Sequence, residues 1–105
     1  MHGWQNDRHM AAYLIVDTLL ENADLYEEYK SKARPIIEKF GGEYLARGGR
    51  MTILEADLWS PARLVVIRFP DAQTATRCMK SSEYLEILPI SKKSARRTMV
   101  VVEGL

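Results

Sequence analysis

Apolar side chains alternate along this chain with two different periods, and the change of period marks out its elements. From Ala12 to Leu20 both faces of a two-residue repeat are largely apolar, Tyr13, Ile15, Asp17 and Leu19 on one and Leu14, Val16, Thr18 and Leu20 on the other. Such a run predicts a strand covered on both sides. Leu25, Tyr29, Ala33, Ile36, Ile37 and Phe40 then recur at helical spacing, with Glu27, Glu28, Lys30 and Lys32 outside the stripe, and predict an amphipathic helix. Asp24 and Glu27 are spaced as a capping box at its start. Pro35 removes one backbone donor and predicts a kink, and Gly41 is a natural left-handed stop. Tyr26 and Tyr29 fall at core or helix-edge spacing, with pocket lining the lesser reading.

The stretch from Gly41 to Pro70 returns to the period of strands. Glu43 to Arg47 predicts a second strand, Gly48-Gly49 a turn or bulge, and Met51 to Ala56 a third strand. Trp59-Ser60-Pro61 reads as a connection, because the residue before a proline is pushed out of the helical region. Leu64 to Phe69 is an apolar, β-branched strand closed by Pro70. Beyond it, Asp71 is placed to cap a short helix and Ser81 or Ser82 a second one, which Pro89 is expected to stop. Thr98 to Glu103 predicts the last strand.

This order of elements points to an α+β fold, a ferredoxin-like βαββαβ sandwich with an added hairpin and helices on one face of a mostly antiparallel sheet. Pairwise alternation puts Leu14, Val16, Tyr44, Ala46, Val65, Ile67, Phe69, Val100 and Val102 beneath the helices. The opposite face would carry Tyr13, Ile15, Asp17, Leu45, Arg47, Ile53, Glu55, Leu64, Val66, Arg68, Met99, Val101 and Glu103. That face is too apolar to stand in water, so a second copy is expected to cover it, the two sheets enclosing a barrel cavity with a few polar groups. Asp17 and Glu103 pairing with Arg47 and Arg68 across an interface is an equal alternative.

Composition narrows the chemistry. The chain has 105 residues, enough for one domain, with 15 Lys plus Arg against 14 Asp plus Glu. The balance gives no basic excess for nucleic acid. A single cysteine, Cys78, rules out an internal disulfide framework and reads as a buried structural thiol. No apolar run approaches the ~20 residues of a membrane span, and a cytoplasmic protein is expected. Residues 1–9 are polar and aperiodic, an expected flexible extension ahead of a domain over residues 10–105, with Met10 a candidate start. Their two histidines lack a third ligand, so no metal is expected, nor any cofactor. Lys92, Lys93, Arg96 and Arg97 form a basic run, read as a solvated helix end and loop with anion capture as the alternative. Glycine-rich nucleotide loops, a nucleophile elbow and metal motifs are all missing.

The segments AAYLIVD, EEYKSKARPIIEKFGGEYLARGG, LWSPARLVVIRFP and SSEYLEILPISKKSA, followed by VVVEG, resemble the bacterial domain-of-unknown-function family 1330. The matching motif positions are Tyr29, Gly41, Gly42, Tyr44, Arg47, Gly48, Gly49, Arg63, Phe69, Pro70, Ser82 and Tyr84. The resemblance implies a dimeric α/β-barrel of ferredoxin-like subunits and no set activity; related folds include cofactor-independent monooxygenases, isomerases and haem proteins. Two functions follow. One is a cofactor-independent, monooxygenase- or isomerase-like enzyme on a small organic acid, with Asp17 or Glu55 as general base and Arg47, Tyr13, Tyr44 and Arg68 as substrate-binding candidates. The other is a non-catalytic homodimer that binds a metabolite or serves as an interaction module, favoured slightly by the lack of a histidine in the domain.

Overall fold

The computed structural model describes residues 11–105. The expected N-terminal extension, its histidines and Met10 lie outside the described residues. Strand β1 (Ala12–Leu20) leads into α1 (Ala23–Lys39), then β2 (Glu43–Arg47), β3 (Leu64–Phe69), α2 (Ala72–Lys80), α3 (Ser82–Ser94) and β4 (Ala95–Glu103). The four strands form one antiparallel sheet in the order β2-β3-β1-β4. With three helices on one side this is the expected α+β, ferredoxin-like arrangement. No helix among the described residues is long and apolar enough to cross a membrane.

The core lies between sheet and helices. Leu14 and Val16 from β1 and Val65, Ile67 and Phe69 from β3 meet Tyr26, Tyr29, Ala33 and Ile37 of α1, Ala75 and Cys78 of α2, and Tyr84 and Ile87 of α3. The other face has no helix over it among the described residues. There Tyr13, Ile15 and Leu19 stand beside Leu64 and Val66, and Val100 and Val102 stand beside them on β4, 51% and 47% exposed.

Several expectations are corrected. No strand forms at Met51 to Ala56, so the hairpin expected there is absent and residues 48–63 run irregularly. Asp17 explains the course of that segment: its carboxylate accepts the backbone N–H groups of Ala62 (2.8 Å) and Arg63 (3.0 Å) and the indole N–H of Trp59 (2.9 Å), pulling the chain across the end of β1. Asn22, in extended conformation, caps α1 by accepting the Leu25 N–H, and Asp24 already lies in the first turn. The expected caps at Asp71 and Ser81 do form, accepting the N–H groups of Thr74 and Tyr84.

Pro89 does not stop α3, which continues to Ser94. A proline removes one donor, but Ile87, Ser91 and Ser94 are buried along the same face, and the hydroxyls of Ser91 and Ser94 donate to the carbonyls of Leu88 and Ile90. Consequently β4 starts at Ala95, opposite Leu20, and Arg96 and Arg97 lie on a strand. The register also reverses the expected faces of β4: Met99 and Val101 oppose Val16 and Leu14 beneath the helices, and Val100 and Val102 face outward. In β2 a bulge between Tyr44 and Ala46 does the same. One unpaired residue, Leu45, turns Ala46 outward opposite Val66 and Arg47 inward opposite Val65.

Candidate functional site

A cavity of ≈ 40 Å³ lies between α1 and the sheet. Its walls are core side chains, Leu14, Val16, Val65 and Ile67 below and Tyr29 and Ala33 above, and its polar groups are Lys30, Tyr44, Arg47, Arg63 and Arg97. The described residues lining it include no carboxylate and no imidazole.

Arg97 is the centre of the polar end. The β1–β4 register places it opposite Thr18 on the helix-covered face. Its guanidinium donates to the hydroxyls of Tyr29 (2.9 Å), Tyr84 (3.0 Å) and Ser91 (2.8 Å), and sits 4.9 Å from the centre of the Tyr29 ring. α1, α3 and β4 thus converge on one cation. The partners are neutral, and no carboxylate lies within 4.0 Å of it among the described residues. A half-buried guanidinium normally carries a paired acid. Here the counter-charge is missing.

The hydroxyl hydrogens can be followed one by one. The Tyr29 and Tyr84 oxygens are 2.7 Å apart, so one phenol hydrogen bridges them. Both oxygens also accept an N–H of Arg97, which leaves the second phenol hydrogen without an acceptor among these groups. Tyr29 lines the cavity. If Tyr84 donates to Tyr29, then Tyr29 donates into the cavity, and a bound acceptor satisfies every group. Burial pushes the Tyr29 phenol well above its ordinary pKa, with Tyr84 adding to the shift and Arg97 opposing it, so the hydroxyl keeps its proton at neutral pH. Burial works against the charge on Arg97, but the two tyrosine oxygens outweigh it and the guanidinium stays protonated. Beside this cluster, Thr18 Oγ1 is buried without a partner. The site therefore offers N–H and O–H donors to an acceptor, the chemistry of an anion or oxyanion receptor.

The residues singled out from the sequence fall in three places. Arg47 and Tyr44 line the cavity, and the Arg47 guanidinium stacks 4.8 Å from the centre of the Tyr44 ring. Tyr13, Asp17 and Arg68 lie on the open face of the sheet, where Arg68 approaches Glu43 at 3.7 Å. Glu55 lies on the irregular segment, in a surface depression with Trp59 and Leu64. Burial opposes ionisation of Asp17, but the N–H groups of Arg63 and Ala62 and the Trp59 indole outweigh it and hold the carboxyl below its ordinary pKa. Tyr29 and Tyr84 were visible as resemblance positions. Arg97 had only its place in a basic run as a signal. No group of three or more His, Cys, Asp or Glu among the described residues could hold a metal ion.

Solved structures share the fold. A protein of unknown function from Rhodopseudomonas palustris superposes with a TM-score of 0.74 at 12% identity, covering 98% of this chain and 92% of its own. SnoaB, a cofactor-independent oxygenase from Streptomyces nogalater, gives 0.65 at 7% identity, covering 90% and 93%. A dimeric protein of unknown function and ferredoxin-like fold from Bacteroides fragilis gives 0.59 at 13% identity, covering 89% and 95%. At these identities the likeness is one of fold. No curated protein matches the chain in sequence. The family model for the domain of unknown function DUF1330 matches residues 11–105, the whole of the described structure, and the chain belongs to that family.

Proposed function

We propose that the protein binds a small organic acid in the cavity between α1 and the sheet and acts on it without a cofactor. The observation that carries this reading is Arg97, a guanidinium fixed by three hydroxyls with no carboxylate within 4.0 Å among the described residues. A carboxylate or enolate there would receive the remaining N–H groups of Arg97 and the Tyr29 hydroxyl, while the apolar walls hold the carbon skeleton. Such donors stabilise negative charge that develops on a substrate oxygen. SnoaB is described as a cofactor-independent oxygenase, which makes enzymatic use of this fold plausible. With no carboxylate or imidazole among the lining residues to take a proton, the substrate would enter already ionised. The same composition favours a second reading, a non-catalytic metabolite-binding protein. In either case we place a second copy of the chain on the open, apolar face of the sheet.

Titration calorimetry with short-chain carboxylates and enolisable keto acids tests the binding. Wild type is expected to bind, and Arg97→Gln to lose at least about tenfold in affinity while retaining the wild-type circular dichroism spectrum. Equal affinity in the two proteins would remove the site. Oxygen uptake or product formation from a bound keto acid separates the enzyme from the binding protein.

A further inference from the structure

We infer that the ligand carries two anionic groups, one received by Arg97 inside the cavity and the other by Arg47 and Arg63 at its mouth. This rests on the anion-binding reading above and specifies its substrate class, a short dicarboxylate or an acid of the same charge.

Three guanidinium groups line one small cavity, and none has a carboxylate within 4.0 Å among the described residues. Some other cations have partners, Lys32 with Glu28, Arg34 with Glu38, Lys39 with Glu83 and Arg68 with Glu43, while Arg50, Arg77, Lys80, Lys92, Lys93 and Arg96 have none within 4.0 Å among the described residues and do not converge on this cavity. Lys30, which also borders the cavity, is held 2.8 Å from Glu27. The cavity therefore gathers three guanidinium groups with no acid in its lining, although Glu27, outside it, is held below its ordinary pKa by Lys30 and, more weakly, by Arg47 and Arg63. Converging like charges repel, and an anion relieves that repulsion.

Backbone features aim the two outer arginines. The bulge at Leu45 turns Arg47 from the open face to the cavity, and Arg47 also borders the surface depression outside it, with Lys30, Arg34 and the carboxylate of Glu27. Gly48 has φ +68°, and the Arg63 guanidinium lies directly over it: a Cβ there would sit 2.6 Å from Nε and 2.8 Å from Cζ. A bare Cα is what lets Arg63 reach this position beside Arg47. The inner space, ≈ 40 Å³, takes a carboxylate-sized group and little more, so the rest of a ligand has to extend towards these two side chains.

Calorimetry of the full chain with malonate, succinate and glutarate, each against the monocarboxylate of the same chain length (propionate, butyrate, valerate), tests the proposal. At least one dicarboxylate is expected to bind about tenfold or more tightly than its partner, with a steeper loss on added salt. The doubly substituted Arg47→Gln/Arg63→Gln protein is expected to lose that gain while keeping its monocarboxylate affinity within about threefold. The salt dependence of the wild type gives an independent reading should the double variant fold poorly. If monocarboxylates and dicarboxylates bind equally and Arg97→Gln removes both, the two-group ligand is overturned and the anion site stands. If none binds to wild type, both fall.

Discussion

Asp17 shows how one side chain can decide the course of a long segment. Its carboxylate holds Trp59, Ala62 and Arg63, and so sets the path of the irregular chain that delivers Arg63 to the cavity. Asp17→Ala leaves three donors without their acceptor, and a loss of roughly 1–2 kcal/mol is expected by denaturant titration, with faster proteolysis in residues 50–60. Cys78 gives a prediction in pH. Burial, with a smaller contribution from Glu83, pushes its thiol from 9.0 up to about 11. Between those values the unfolded chain releases a proton that the folded chain keeps, so the thiol's contribution is complete below pH 9 and is lost as pH rises through 11. The expected result is a melting temperature that declines more steeply above pH 9 in wild type than in Cys78→Ala. At pH 8, labelling by a disulfide reagent should follow unfolding.

At the scale of elements, Gly48 and Gly49 separate two meanings of a glycine pair. Gly48 has positive φ and the Arg63 side chain against it, and Gly49 has nothing within 4 Å of where a Cβ would stand. Gly48→Ala is expected to cost about 1–2 kcal/mol and Gly49→Ala less than about 0.5 in thermal melts. The pair was legible in the sequence as a turn, but which glycine carried the strain was not. The strands at Ala12–Leu20 and Leu64–Phe69 were legible for a clear reason: each repeats an inward apolar residue every second position. The bulge at Leu45 was not, because an extra residue with an ordinary side chain carries no local mark. Pro89 misled for the opposite reason, a strong local signal overruled by the buried face of α3. Ending that helix too early hid Arg97 in a supposed loop. Its hydroxyl partners lie as far as 68 residues away, beyond the reach of any local pattern.

For the whole molecule, the open face carries the association argument. Val100 and Val102, with Tyr13, Ile15 and Val66 beside them, form an apolar surface that no helix covers among the described residues. Native mass spectrometry is expected to find a dimer for wild type and mainly monomer for Val100→Lys, a position half exposed in the single chain and outside its core. A dimer that survived the lysine would place the contact elsewhere. Because the cavity lies on the helix side of the sheet, the monomeric variant is expected to keep its Arg97-dependent ligand binding.

The sheet separates the helix-covered face, where we place the ligand, from the open face, where we place a second copy, and the bulge at Leu45 decides which of them receives Arg47. Alternation makes this assignment a matter of parity. Pairing Leu45 in regular register, without the bulge, would send the guanidinium through to the open face, whereas deleting Leu45 would keep it beneath the helices, because Tyr44, Ala46 and Arg47 already alternate across the bulge. The register of this strand thus ties the two proposed properties together, and a change that closed the bulge while keeping its residue count is where relatives of this protein could exchange one for the other.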